Sequence, residues 1–123
     1  MFADLNRRGI ALALETGFLD SSDACGRGVE GFGGQRAVSV VRFIKSSGGV
    51  LRYIAMDEPA YFGSLSTQKN ACRWTMQQVA ANLAKNLRDA KAEFPDLIIG
   101  ATEPMPVGNV PGWIDRYLEW TTA

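Results

Sequence analysis

Three short apolar runs divide the chain into units of similar length. They cover residues 10–14, 51–56 and 97–99, and none of them alternates strictly between apolar and polar side chains. Runs of this kind are typical of strands that are covered on both faces, as in parallel sheets. The pattern therefore predicts three parallel strands with both faces buried.

Apolar residues with helical spacing follow each run. One set ends before two serines and two glycines, which favour a helix C-terminus, and consists of Ala37, Val40, Val41 and Ile44. A longer set recurs every three or four positions, at Cys72, Met76, Val79, Leu83, Leu87, Ala90 and Phe94. A last helix is predicted to begin near Pro111 and to bury Ile114, Tyr117 and Leu118.

This alternation predicts one α/β domain, residues 1–123, built from three consecutive βα units with parallel strands. Three units cannot close an eightfold barrel, which needs about 250 residues, and an open parallel sheet leaves two unpaired edges. We therefore expect a partial TIM-barrel-like fold, either a fragment of a larger barrel or completed by a homo-oligomer. The alternative is a small open α/β sandwich flanked by helices.

Each apolar run leads into a glutamate, and two of these glutamates precede a proline. Glu15, Glu58 and Glu103 lie 43 and 45 residues apart, and segments 54–59 and 99–104 both end in Glu-Pro. Because the carboxyl ends of parallel strands meet at one edge of a sheet, the three acids are predicted to share that edge. Paired carboxylates can hydrolyse glycosides. The alternative is that these acids cap helices or bind loop amides.

The first Glu-Pro segment contains further candidate residues. Pro59 biases Glu58 away from helical dihedral angles, so an extended chain is expected to hold this glutamate at the rim, with Asp57 on the opposite side of the strand. Tyr61 and Phe62 follow. Their rings either stack on the apolar face of a sugar or cover the core beneath the loop.

The loop after the first run is rich in glycine. Residues 26–31 have the order Gly-x-Gly-x-x-Gly, but the predicted helix begins several residues later than in a dinucleotide-binding motif. A turn-rich loop is therefore favoured over a phosphate-binding one. Glu30 in this loop is interpreted as a solvated charge or as a hydrogen-bonding partner for substrate.

Composition narrows the classes of function. The 123 residues carry 13 basic and 13 acidic side chains, so no nucleic-acid partner is expected. No apolar stretch reaches the roughly 18 residues of a membrane span, and residues 1–8 lack the order of a signal peptide. We expect a soluble, unexported and by default cytoplasmic protein. The chain has no histidine, which removes the commonest general base and metal ligand, so catalysis would rest on carboxylates, a thiol, lysine or tyrosine, and neither a cofactor nor a metal is expected.

Two cysteines are predicted to lie at the same rim of the sheet. Cys25 belongs to the glycine-rich loop, and Cys72 fits the apolar stripe of the long helix. Without an export signal, free thiols are expected, with Cys72 packed in the core. A disulfide between the two loops is the alternative, and a zinc site would lack ligands.

Four segments together resemble bacterial glycoside-hydrolase-like TIM-barrel proteins. They are residues 11–15 (Ala-Leu-Ala-Leu-Glu), 28–34 (Gly-Val-Glu-Gly-Phe-Gly-Gly), 53–59 (Tyr-Ile-Ala-Met-Asp-Glu-Pro) and 94–104. The resemblance covers a middle portion of such a barrel and implies a carbohydrate ligand. In the retaining glycosidase clan, an Asn-Glu-Pro segment after the fourth strand supplies the acid/base, which implies that role for Glu58. The clan's nucleophile comes from the seventh strand, so the resemblance does not assign Glu103.

The leading hypothesis is a glycosidase-like protein with Glu58 as general acid and Glu103 or Glu15 as its carboxylate partner. The substrate pocket would be shaped by Asp57, Tyr61, Phe62 and Glu30. The competing hypothesis is a noncatalytic carbohydrate-binding or assembly module derived from such a barrel.

Overall fold

The computed structural model describes residues 1–123 as four α-helices, three β-strands and one π-helical turn. In chain order these are α1 (Phe2–Arg7), β1 (Leu12–Thr16), α2 (Gly34–Ser46), β2 (Leu51–Asp57), the π-helical turn (Tyr61–Leu65), α3 (Met76–Glu93), β3 (Ile98–Thr102) and α4 (Trp113–Trp120). Helix α1 precedes the first predicted element and was not expected. None of the helices has the length and apolar character that crossing a membrane requires.

The three strands form one parallel sheet in the order β1-β2-β3. Leu14 pairs with Ile54, which pairs in turn with Ile99, and Asp57 pairs with Thr102 at the carboxyl end. The predicted parallel sheet alternating with helices is therefore confirmed. Matched register also places residues that follow β2 and β3 at the same edge.

Only one face of this sheet is covered, so the prediction of strands buried on both faces was wrong. Leu51, Ile54 and Met56 of β2 lie in a core formed with α2 and α3, whereas Tyr53 and Ile98 on the other face remain 50% and 52% exposed. The reason is topological. Successive strands added in one direction by right-handed crossovers place both crossover helices on the same side.

Helix α3 begins four residues later than the start of the predicted stripe. The side chain of Thr75 accepts a hydrogen bond from the Gln78 amide, and the Gln78 side chain accepts one from the Thr75 amide. This capping box satisfies two amides that the first helical turn leaves unpaired, and it fixes the helix start at Met76. Cys72 therefore lies in the preceding loop.

Two helices expose some of the residues that fit their apolar spacing, and for α4 this corrects the predicted burial. Ala37, Val41 and Ile44 of α2 are buried, but Val40 is exposed. On α4 only Tyr117 is buried, while Ile114 and Leu118 are 56% and 61% exposed. These two side chains lie on a part of α4 that no element of the chain covers.

A buried amide joins the loop after β1 to α3. Asn86 is fully buried, and its side chain donates to the Phe18 carbonyl (3.0 Å) and to Oδ2 of Asp20 (2.9 Å) while accepting from Nε2 of Gln35 (2.6 Å). Every polar atom of the Asn86 side chain is thus satisfied, as a buried amide requires. The network holds the beginning of the glycine-rich loop against the helical layer.

Candidate functional site

Four acidic residues gather at the carboxyl edge of the sheet, and we call them the acidic rim. Asp57 ends β2, Glu58 follows it, Glu103 follows β3, and Glu30 lies in the glycine-rich loop. Burial is the largest cause of the raised pKa of both Glu58 and Glu103; the charges of Asp57 and Glu30 add to it at Glu58, and those of Glu58 and Asp57 add to it at Glu103. The structure therefore brings these four predicted site residues within electrostatic reach of one another.

Glu15 lies away from the acidic rim. It sits inside β1, paired with Ala55, on the exposed face of the sheet, two positions before the level of Asp57. It shares the open face with Asp57 because both alternate with residues that point into the core. The predicted edge position is wrong for Glu15, since β1 continues to Thr16.

Glu58 has an unusual backbone conformation. Its φ is 43°, in the left-handed region, so the predicted extended conformation was wrong. Its amide donates to the Thr102 carbonyl (3.0 Å), and its carbonyl accepts from the Phe62 amide (2.9 Å), which begins the turn immediately after the strand. A non-glycine residue in this region is strained by about 1–2 kcal/mol, and such strain is concentrated at functional sites.

The carboxyl group of Glu58 has no hydrogen-bond or ion-pair partner within the chain. It is half-buried, and its pKa is raised first by this burial and then by the charges of Asp57 and Glu30. An acid in such surroundings keeps its proton to higher pH than a solvated glutamate. This is the behaviour that a general acid needs.

Glu103 has the opposite environment. Its Oε1 accepts a hydrogen bond from the Ala60 amide (2.7 Å) and its Oε2 accepts one from the Tyr61 amide (3.0 Å). Burial nevertheless raises the pKa of Glu103 to about 7, because it outweighs these two hydrogen bonds, and the charges of Glu58 and Asp57 act in the same direction. Of the alternatives raised by the sequence, this geometry matches an acid that binds loop amides.

The residues on either side of Glu103 extend the same contact. The Thr102 hydroxyl donates to the Met56 carbonyl (3.1 Å), and the Tyr117 hydroxyl donates to the Pro104 carbonyl (3.1 Å). Tyr117 is buried, and its pKa is raised by that burial and then by Glu103 and Glu58. The segment Thr102 to Pro104 thus holds both the end of β2 and helix α4.

A cleft of about 440 Å³ opens between the glycine-rich loop and the ends of β1 and β2. Its polar side chains are Thr16, Glu30, Arg36 and Asp57, and Phe32 supplies an aromatic surface. Its mixture of two carboxylates, a guanidinium, a hydroxyl and a ring suits a polar ligand with hydrogen-bonding groups and an apolar face.

Glycine is required where the loop meets the strand end. A Cβ on Gly17 would lie 2.4 Å from the backbone of Gly31, and Gly31 itself has a φ of 83°. Only glycine permits this approach and this dihedral angle. The glycines of the loop therefore shape the wall of the cleft.

The two predicted aromatic residues have different surroundings. Phe62 is buried, 7% exposed, beneath the glycine-rich loop, which fits the alternative that it covers the core. Tyr61 is half-buried and packs edge-on against Phe62, with ring centroids 5.1 Å apart. Tyr61 is the ring of this pair with surface left for a ligand.

Cys25 and Cys72 form a disulfide, with Cα atoms 5.0 Å apart, so the prediction of free thiols was wrong. Hydrogen bonds bring the two loops together: the Gly26 amide donates to the Asn70 carbonyl (2.8 Å), and the Asn70 side chain donates to the Arg27 carbonyl (3.1 Å). Cys72 was misplaced because the capping box makes α3 begin at Met76, after the cysteine. No group of three or more potential ligand residues is arranged to hold a metal ion.

Sequence reasoning missed Arg36, Thr102 and Tyr117. Arg36 lies in the first turn of α2 directly after the glycine-rich loop, and Thr102 precedes the second Glu-Pro, so both positions could have been examined from the sequence. Tyr117 was predicted only as a buried residue of the last helix, and its hydrogen bond had no local signal because the partner is a carbonyl 13 residues away. Comparison of the chain with protein-family models, curated proteins and solved structures gives no match.

Proposed function

We propose that this chain is a glycoside-hydrolase-like protein that acts on a carbohydrate, with Glu58 as the general acid. The observation that carries the proposal is Glu58 itself: its carboxyl has no partner and a raised pKa, its backbone is in the left-handed region, and it follows Asp57, which lines the cleft. In this reaction Glu58 donates its proton to the glycosidic oxygen as the bond from that oxygen to the anomeric carbon breaks. Water supplies the hydroxyl group that replaces the leaving group, and its other proton passes to a carboxylate.

Glu103 and Glu15 are the two candidates for that second carboxylate. Both oxygens of Glu103 are engaged by backbone amides, whereas Glu15 is exposed on the same open face as Asp57. Glu103 is therefore the weaker candidate, which leaves Glu15, although it lies away from the acidic rim, or a residue from outside this chain. Asp57 and Glu30 would accept hydrogen bonds from sugar hydroxyls in the cleft, and Tyr61 would present its ring to the apolar face of the sugar.

A panel of aryl glycosides tests this function. We expect turnover that Glu58→Gln lowers by at least about 100-fold, the lower end of the contribution of a general acid. Because the pKa of Glu58 is raised, the rate should remain high above the usual titration range of a glutamate and fall as the pH passes the raised value. Asp96→Asn, an exposed acid-to-amide change without an ion-pair partner, is the matched control. Turnover that Glu58→Gln leaves unchanged would refute the assignment.

The open sheet supports a second candidate function, a noncatalytic carbohydrate-binding or assembly module. Three strands provide only part of a barrel, and Glu103 is engaged in holding the backbone. Binding of oligosaccharides without turnover, measured by calorimetry on the same panel, would favour this module. Loss of that binding in Asp57→Asn would place the ligand in the cleft.

We further propose that the sheet is a partial TIM barrel that additional strands complete, supplied by a second copy of the chain or by a larger protein. The outer edges of β1 and β3 are unpaired, and the exposed face carries Tyr53 and Ile98 where a barrel would have its interior. Solution mass between micromolar and millimolar concentration tests completion by a copy. A multiple of 13.4 kDa is expected, and a monomer throughout would exclude it.

A further inference from the structure

The second Glu-Pro segment contacts the first one through a continuous set of hydrogen bonds. Thr102 contributes two of them, from its hydroxyl to the Met56 carbonyl and from the Glu58 amide to its own carbonyl. Glu103 contributes two more, to the amides of Ala60 and Tyr61. These bonds lie on both sides of Glu58, so they define the backbone conformation in which its carboxyl projects.

We propose that Glu103 is a positioning residue that holds the segment carrying Glu58, and that this hold weakens as the acidic rim ionises. The inference rests on the proposed function of Glu58 and adds a form of regulation to it. Glu103 reaches the site only through the backbone that it holds.

The geometry shows why Glu103 and not a neighbour has this role. Its two oxygens bind the amides of two successive residues, 43 and 42 positions earlier in the chain, at the first turn after the strand. Two hydrogen bonds from one planar group fix the orientation of the turn as well as its position. The Glu58 carbonyl, which accepts from Phe62, belongs to the same turn.

The charges around Glu103 set the direction of the pH effect. Asp57 and Glu58 face it from the end of β2, Tyr61 from the π-helical turn, and Tyr117 from α4. Glu30 faces Glu58 from the glycine-rich loop.

No arginine or lysine forms an ion pair with the acidic rim, although Arg36 lines the cleft beside Glu30 and Asp57. Arg116 on α4 is directed to the Ser64 hydroxyl and to Glu119 instead. The carboxyl of Glu103 is therefore crowded by like charges.

The direction of the pH effect follows from the coupling between ionisation of Glu103 and its position in the site. Glu103 has a pKa of about 7 in its site against 4.5 in water, so ionisation favours states in which the side chain has left the site. When protonated, the carboxyl can still accept from the two amides through its remaining lone pairs, although both bonds are stronger to the carboxylate, a gain that burial outweighs. The hold is therefore firmest below the solvent value of the pKa, weakens between the two values, and is weakest above pH 7.

Amide hydrogen exchange measured by NMR tests this directly. In the unmodified chain, the protection factors of the Ala60 and Tyr61 amides should fall at least tenfold from pH 5.5 to pH 8.5, after correction for the intrinsic rate. The amide of Leu83, in the core of α3, serves as the reference for global opening. In Glu103→Gln, whose side chain has one acceptor oxygen and can bind only one of the two amides, protection should be lower throughout, and its fall with pH should shrink to within twofold because the side chain does not ionise.

The control is Asp96→Asn, which removes an acid from the exposed turn before β3 and should retain the pH dependence of the unmodified chain. Protection that does not change with pH in the unmodified chain, or that changes equally in Glu103→Gln, would overturn the proposal. If Glu103→Gln fails to fold, the unmodified chain is titrated. The Glu103 carboxyl ¹³C shift and the two amide proton shifts should then share one midpoint, and separate midpoints would contradict the inference.

Neither experiment uses a substrate. A chain that shows the predicted exchange but no glycoside turnover would retain the positioning role and lose the proposed function. Turnover that depends on Glu58, with amide exchange that is independent of Glu103, would support the proposed function and contradict the positioning role.

Discussion

The two Glu-Pro segments share the isoleucine, glutamate and proline of their six residues, but their glutamates differ in backbone conformation and in hydrogen bonding. Glu58 has a left-handed backbone and an unpaired carboxyl, whereas Glu103 continues from a regular strand and has both oxygens bound to amides. Both acids have a raised pKa, and burial is the largest cause for each. A shared motif therefore supplies one carboxyl without a partner and one that binds backbone amides.

The difference follows from position in the sheet. β2 is the central strand, so the residues that follow it have neighbours on both sides, and Thr102 fixes the Glu58 amide from β3. β3 is an edge strand, and its glutamate can only turn inward to the segment after β2. A raised pKa alone does not distinguish a catalytic acid from a positioning one. The hydrogen-bond partners do.

The disulfide connects the glycine-rich loop, which carries Glu30, to the loop that precedes α3. Its removal should have the largest effect on stability. Cys25 and Cys72 are 47 residues apart, for which the chain-entropy model gives about 4 kcal/mol. Urea unfolding of the Cys25→Ser/Cys72→Ser double variant should show a loss of this order. The loop that carries Glu30 should exchange faster, while the Ala60 and Tyr61 amides keep their protection, because Glu103 holds them independently.

Reduction of the unmodified chain provides the control for that experiment. It should reproduce the loss seen in the double variant, since it breaks the same bond without changing any other side chain. Equal loosening of the Glu30 loop and of the Glu103 contacts would show that the two sides of the rim are one cooperative unit.

Much of the fold was predictable because it depends on local pattern. The three apolar runs gave the strands, and their spacing gave parallel order and the long helix. Short apolar runs do not show whether one face or both faces of a strand are covered. In β2 the run contains Tyr53 and Ala55 as well as Ile54 and Met56, and the sequence does not show that nothing covers the first two.

The site was predictable in place but not in conformation. Glu58 and Glu103 were expected at one edge, and they are there. The left-handed turn at Glu58 and the amide partners of Glu103 depend on contacts between residues more than 40 positions apart, which no local rule supplies. The positions of Cys25 and Cys72 at one rim could be predicted from the order of the elements. Their disulfide bond could not, because it depends on how two loops 47 residues apart pack together.

Replacing either glutamate with alanine should lower the free energy of unfolding by less than removal of the disulfide does, but it compares the two Glu-Pro segments directly. Glu103→Ala leaves the Ala60 and Tyr61 amides without an acceptor, which should lower the free energy of unfolding by about 1–3 kcal/mol. Glu58→Ala removes a carboxyl that has no partner, so its stability should stay within about 0.5 kcal/mol of the unmodified chain. Urea unfolding at pH 5.5, where Glu103 is mostly protonated, compares the two variants without added repulsion from its charge. Equal losses in both variants would mean that Glu58 also supports the fold, and the division of roles between the two segments would then fail.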